Sequence, residues 1–213
     1  MDWDNLEVLI YFRQMNTAIY KNIIKYFDAQ ATSWHLSGLD RIQAENILSS
    51  VQLPESGVVL DAGCGTGNLF PILRKIVPLA TIIACDISRK MLIESRQRFS
   101  NNVPLWVGYC EELPLKDASV DLILNYCIFP HIKNSHKALF EYRRVLKSGG
   151  HLLIIHPQGR QTINSKHRQI GFPISDDLLP PSAEIVERLE SMSFRIREVV
   201  DREDLYLIEA EVA

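Results

Sequence analysis

Cysteine is scarce in this chain of 213 residues, and the four that occur, Cys64, Cys85, Cys110 and Cys127, stand 21, 25 and 17 residues apart. No CxxC or CxxxH pair supplies two metal ligands from one tight turn, so no metal site is expected and the thiols read as small packing residues. That usage fits a cytoplasmic protein with reduced thiols. Basic charge is not in excess either: 23 Lys and Arg against 26 Asp and Glu leave a net charge of −3. Neither a nucleic acid nor an anionic membrane surface would meet a global positive field, and both are excluded as expected partners. Long apolar runs are missing. The stretch 6–20 is broken by Glu7, Arg13, Gln14 and Asn16, so it lacks the uninterrupted segment of a signal peptide, and nothing approaches the roughly 18 residues of a membrane span. With ten Gly, ten Pro and no internal repeat, collagen-like and disordered classes fall away.

What remains, at 46% hydrophobic residues, is one domain with a sizeable core. Leu6, Leu9, Ile10, Ile19, Ile23, Ile24 and Phe27 recur at roughly helical spacing, and Ile42, Ile47 and Leu48 do so after Ser37-Gly38. This predicts two helices without strands over 1–52, a cap that is part of the same domain as 53–213. From residue 53 short β-branched runs alternate with helical segments. Strands are expected at 58–60, 81–84, 105–107, 120–124 and 152–155, and helices at 69–77, 89–99 and 135–146, the last closed by a left-handed glycine in Lys147-Ser148-Gly149-Gly150. A helix over 183–192 and an antiparallel hairpin of 194–200 with 205–212 end the chain. The expected fold is α/β: a seven-stranded, mostly parallel sheet with helices on both faces. Ligands of such sheets bind beyond the carboxyl ends of the strands, near the switch in strand order.

The strongest local pattern is Val59-Leu60-Asp61-Ala62-Gly63-Cys64-Gly65-Thr66-Gly67, an apolar strand running into three alternating glycines. Missing side chains let a ligand touch backbone N–H groups. Asn68 stands where a dinucleotide fingerprint has its third glycine, so a nicotinamide oxidoreductase fits poorly. Asp86, 19 residues beyond Gly67, ends the next strand where a carboxylate can accept from ribose hydroxyls.

These residues resemble motif I and the following acidic loop of the class I S-adenosylmethionine (SAM)-dependent methyltransferases. The resemblance continues in 107–114 with 117–123, and in Tyr142-Arg143-Arg144-Val145-Leu146-Lys147-Ser148-Gly149-Gly150. Tyr26-Phe27-Asp28 with Trp34 is similar to the segment that small-molecule members place over the cofactor, so that 26–157 is covered. It implies SAM as cofactor, with contacts from Asp61, Gly63, Gly65, Gly67, Asp86, Ile87, Cys110, Glu111 and Asn125. Tyr109-Cys110 replaces the family's usual Asp-Ala, leaving the Cys110 N–H or Glu111 to meet the adenine. After the fourth strand Asn125-Tyr126-Cys127-Ile128 stands in place of Asn/Asp-Pro-Pro-Tyr/Phe, which argues against methylation of base or glutamine amino groups.

Three histidines fall near the active ends of strands: His131 after the fourth, His156 ending the fifth and His167 beyond it. A neutral imidazole can remove a nucleophile's proton. His156 is the first candidate base, with His131 and His167 behind it, and His156, Arg160 and His167 are the expected polar groups of a substrate loop. The structural alternative pairs Arg160 and His167 with Asp176 or Asp177 to pin a surface loop. The expected function is SAM-dependent methyl transfer to a small-molecule acceptor; a non-catalytic protein that binds SAM or S-adenosylhomocysteine is the alternative. The acceptor's identity and the oligomeric state stay open.

Overall fold

The computed structural model describes residues 9–10, 17–99 and 103–213. The expectation at Leu6 lies outside these. An eight-stranded sheet runs through the molecule in the order β1-β4-β3-β2-β5-β6-β8-β7. Its strands are β1 (Leu9–Ile10), β2 (Ser56–Ala62), β3 (Leu79–Asp86), β4 (Leu105–Val107), β5 (Val120–Tyr126), β6 (Leu146–His156), β7 (Phe194–Asp201) and β8 (Tyr206–Val212). All neighbours from β1 to β6 are parallel, whereas β8 pairs antiparallel with β6 and β7. The seven expected strands are β2 to β8. β1 corrects the all-helical reading of the first 52 residues: two residues with helical spacing extend instead along β4, whose outer edge would otherwise stand unpaired.

The chain builds β2, β3 and β4 outward on one side, then returns to lay β5 on the other side of β2. The crevice lies where these two directions part. Strand residues alternate between the two faces. Leu60, Ile123 and Ile154 meet Leu139 and Tyr142 of α5 (Ser135–Val145) and Ile185 and Leu189 of α7 (Ser182–Ser191). Val59, Leu122 and Leu153 meet Leu48 of α2 (Gly38–Ser50), Leu73 of α3 (Phe70–Ile76) and Leu92 of α4 (Arg89–Phe99). Each such side chain removed from water contributes about 1.5–3 kcal/mol.

The N-terminal cap consists of α1 (Lys21–Gln30) and α2. Ser37 and Asp40 form a reciprocal capping box that starts α2 where Ser37-Gly38 predicts. Two further expectations are corrected. The left-handed glycine near the end of α5 is not its cap, because Leu146 there is already extended; Gly149 takes φ +74° inside an irregular stretch of β6 that bulges between its pairings with Val120 and Leu122. The segment after β6, read as a loop, contains the helix α6 (Arg160–Ile170).

Candidate functional site

A cavity of about 340 Å³ opens at the carboxyl ends of β2 to β5, at the lower end of the about 300–1,000 Å³ usual for small-molecule sites. The last residues of β2 and β3 and the loops after β2, β3 and β4 supply Asp61, Gly63, Gly65, Asp86, Ile87, Cys110 and Glu111, and the loop after β5 supplies Cys127, Ile128 and His131. Tyr20, Phe27 and Trp34 of the cap close the opposite wall.

The three glycines of the turn do different work. A Cβ at Gly63 would lie 2.3 Å from the Ile128 side chain, and one at Gly67 2.6 Å from Ser95 Oγ and 2.8 Å from the Phe70 ring. Gly67 therefore seats α3 against α4 and, unlike Gly63 and Gly65, does not line the cavity. At Gly65 a Cβ would meet only the Trp34 ring, at 3.6 Å, and the constraint is instead φ +53°, a left-handed backbone. Asp86 holds this turn: Oδ2 accepts the Gly65 N–H at 2.9 Å and Oδ1 the Ser88 N–H at 2.8 Å.

Asp61 is 1% exposed, and its Oδ2 has no partner among the described residues. Burial, with Asp86 nearby, pushes its carboxyl up to about 7. Burial likewise lifts Asp86 to about 6, against the pull of the Ser88 and Gly65 N–H groups. Buried Glu111 accepts from the Tyr20 hydroxyl and, at 3.2 Å, from the Asn134 N–H. No Lys or Arg among the described residues lines the cavity. Three carboxyls thus face a space to which the protein brings no full positive charge. All four cysteines reach this cavity. Burial raises the thiols of Cys64 and Cys127, the latter to about 12, and a hydrogen bond with Cys110 together with burial raises Cys85; these three do not supply thiolates at neutral pH.

The cap is bolted to these loops by polar contacts. Trp34 O accepts from Thr66 Oγ1 at 2.6 Å, Asp28 accepts from Ser88 Oγ at 2.6 Å, and Tyr20 reaches Glu111. Phe27 stands edge-on to both Trp34 and His131, with ring centroids 5.8 and 5.1 Å apart.

Of the histidines expected at the site, only His131 lines the cavity. Its Nδ1 lies 2.9 Å from Oδ2 of Asp177, a residue 2% exposed whose other oxygen accepts from the Lys133 ammonium. His167 stacks behind it, centroids 4.9 Å apart, with its Nδ1 on the Asp177 carbonyl. His156, 2% exposed, does not line the cavity, and burial pushes its imidazole down to about 3. Its place follows from the turn above it: a Cβ at Gly159 would lie 2.1 Å from the Arg202 carbonyl, so the chain leaving β6 is pressed on the β7–β8 turn. The same contact carries Arg160 toward Asp201, 3.8 Å away, and off the cavity. Asn125 is also outside it, buried and donating to the Tyr142 hydroxyl at 2.7 Å. Asp177, Lys133 and Tyr20 were not found from the sequence as site residues; Asp176 or Asp177 was expected only as a partner pinning Arg160 and His167.

Residues 60–154 match the family model described as a methyltransferase domain. The chain is 34% identical over 131 residues to a malonyl-[acyl-carrier protein] O-methyltransferase of Methylococcus capsulatus, covering 59% of this chain and 48% of that protein. It is 29% identical over 133 residues to a ubiquinone/menaquinone biosynthesis C-methyltransferase of Desulfotalea psychrophila, covering 59% and 54%. The chain thus spans about half the length of the curated relatives it matches. Among solved structures, a SAM-dependent methyltransferase from Aquifex aeolicus superposes with a TM-score of 0.67 at 24% identity, covering 90% of this chain and 97% of that one. A geranyl diphosphate C-methyltransferase from Streptomyces coelicolor does so with 0.68 at 15%, covering 82% and 77%. No helix among the described residues is long and apolar enough to cross a membrane.

Proposed function

The chain carries a class I, Rossmann-like methyltransferase domain, and from that premise we propose that it transfers a methyl group from SAM to a small-molecule acceptor. The observation that carries this reading is the charge of the cavity. Asp61, Asp86 and Glu111 face it, Asp61 Oδ2 has no partner among the described residues, and no Lys or Arg among them lines it. A dinucleotide would bring a pyrophosphate into this acidic field, whereas SAM brings a sulfonium and an ammonium.

The Gly63–Gly65 backbone would pass under the methionine part, Asp86 would accept from the ribose, and Ile87, Cys110 and Glu111 would flank the adenosyl end. When bound, SAM supplies a methyl carbon on a positively charged sulfur, a leaving group that needs no acid from the protein. The chain's own task is alignment: the strand-end loops and the cap hold donor and acceptor in one water-poor space, where fixed orientation lowers the barrier. A regulatory protein that binds SAM without transfer has no need of room beside the cofactor turn; a cavity that continues past the turn to His131 supports transfer.

Calorimetry tests the reading. SAM should bind and NAD should not. Because Asp61 and Asp86 rest near 7 and 6, a cationic ligand should bind more tightly as pH rises from about 5.5 to 8 and should release protons on binding. NAD binding in place of SAM, or SAM affinity that falls over this range, would refute it; labelled SAM then reports transfer.

A further inference from the structure

We propose that the acceptor is an uncharged, apolar molecule with one dissociable O–H, a phenol or an enol, and that His131, positioned by Asp177, takes its proton. The inference rests on the reading above and specifies the other half of the same cavity.

The acceptor's class follows from the walls. Apart from the carboxyls and the glycine turn they are largely apolar, with Phe27, Trp34, Leu36, Ile128 and Ile132 beside His131. The nearby ammonium of Lys133 is spent on Asp177. A carboxylate or phosphate on the acceptor would enter a space facing three carboxyls with no Lys or Arg to meet it among the described residues, a burial that is unfavourable. An apolar ring or enol has no such cost.

The base follows from the hydrogen bonds. Asp177 Oδ2, an acceptor, faces His131 Nδ1 at 2.9 Å, so Nδ1 carries the imidazole proton and Nε2 the lone pair. No described residue bonds Nε2. The ring is held between Phe27, edge-on at 5.1 Å, and His167 at 4.9 Å. The charged and titratable groups around it are Asp177, Lys133, His167 and, from β6, His156. Lys133 already balances the Asp177 charge and burial holds His131 below its ordinary value, so the imidazole is neutral until an acceptor oxyanion formed at Nε2 supplies the charge that pairs with its imidazolium. The proton passes from the acceptor oxygen to Nε2, giving oxyanion and imidazolium with no change in net charge, and the oxygen keeps the electron pair that attacks the methyl carbon.

The probe is 4-nitrophenol, whose ionised form is yellow, titrated with the full chain and S-adenosylhomocysteine. The bound probe should ionise at lower pH than the free one, with a ratio of phenolate to phenol at about pH 6 that is at least about tenfold higher than in solution. His131→Gln should bind it without that displacement, Asp177→Asn should lose most of it, and both should keep wild-type SAM affinity in calorimetry. Neutral 4-nitroanisole should displace the probe, and anionic 4-nitrobenzoate should not. A wild type that leaves the probe unbound or ionising as it does in water, a His131→Gln variant that ionises it as the wild type does, or 4-nitrobenzoate competing as well as 4-nitroanisole would overturn the proposal. Failure of the wild type to bind SAM would instead overturn the cofactor reading, with the probe titration still interpretable.

Discussion

Burial acts on opposite kinds of group on the two sides of the cavity. Around β2, β3 and β4 burial acts on acids, lifting Asp61 to about 7 and Asp86 to about 6. Around β5 and β6 it acts on bases, lowering His131 and taking His156 down to about 3. One desolvation cost thus prepares two chemistries. The acids ionise when a ligand delivers positive charge, while the imidazole that lines the cavity keeps a free lone pair. The halves should therefore respond differently to mutation and to pH.

The largest effect is expected in the cofactor half. Gly65→Val places a β-branched residue at φ +53°, with backbone strain of about 1–3 kcal/mol and a side chain where the ligand approaches. SAM affinity should fall on the order of 100-fold or more, while circular dichroism keeps the wild-type fold. Normal affinity in that variant would move the cofactor off this turn.

Asp86→Ala should weaken SAM by about 1–3 kcal/mol, the scale for losing hydrogen bonds to a charged acceptor. The rise of affinity with pH should flatten in the same calorimetric series. Acceptor-probe binding should not change; if it does, the halves are not separable.

His156→Phe tests the buried base that stands outside the cavity, behind the other half. The folded pKa of His156 lies far below the about 6.5 of an unfolded chain. Its stability contribution is therefore complete above pH 6.5 and drains as acidity increases toward about 3. At pH 5 the wild type should have lost on the order of 2 kcal/mol through this group. The Phe variant should unfold less readily in acid, relative to its own stability at pH 8, and should still transfer methyl groups. Loss of transfer with unchanged SAM affinity would return His156 to the catalytic role that its strand-end position predicts.

Arg160→Ala should change least. Its ion pair with Asp201 is partly solvated, which limits the cost to about 0–1 kcal/mol in thermal unfolding, and it stands off the cavity, so acceptor specificity should hold.

The same division decides what the sequence reveals. The cofactor half is local: one strand, one glycine turn and one acid a fixed distance on. Even there, counting glycines does not tell that Gly67 faces Ser95 and Phe70, because that contact comes from two helices. The acceptor half is assembled from distant segments. His131 and Asp177 are 46 positions apart and no local pattern joins them. Helix α6 escapes notice because much of its inner face is polar: Asn164 bonds the N–H and carbonyl of Leu179, and His167 the carbonyl of Asp177, where apolar side chains would have marked a stripe. His156 and Asn125 end strands at the correct edge of the sheet, yet the β7–β8 turn covers the first and Tyr142 engages the second.

The turn at 177–179 has a consequence for how such a protein diversifies. It joins α6 to the loop after β5 through a handful of bonds, all made by Asp177 and Leu179. The residues facing the proposed cofactor, by contrast, are distributed over three strand-end loops and the cap, and cannot be changed together by altering one stretch of chain. A single exchanged segment spanning 157–181 would replace the anchor of residue 131 and leave every residue that lines the cavity in place. Exchange at that seam can remove or retune the imidazole's support, with the cavity walls and the donor machinery inherited unchanged.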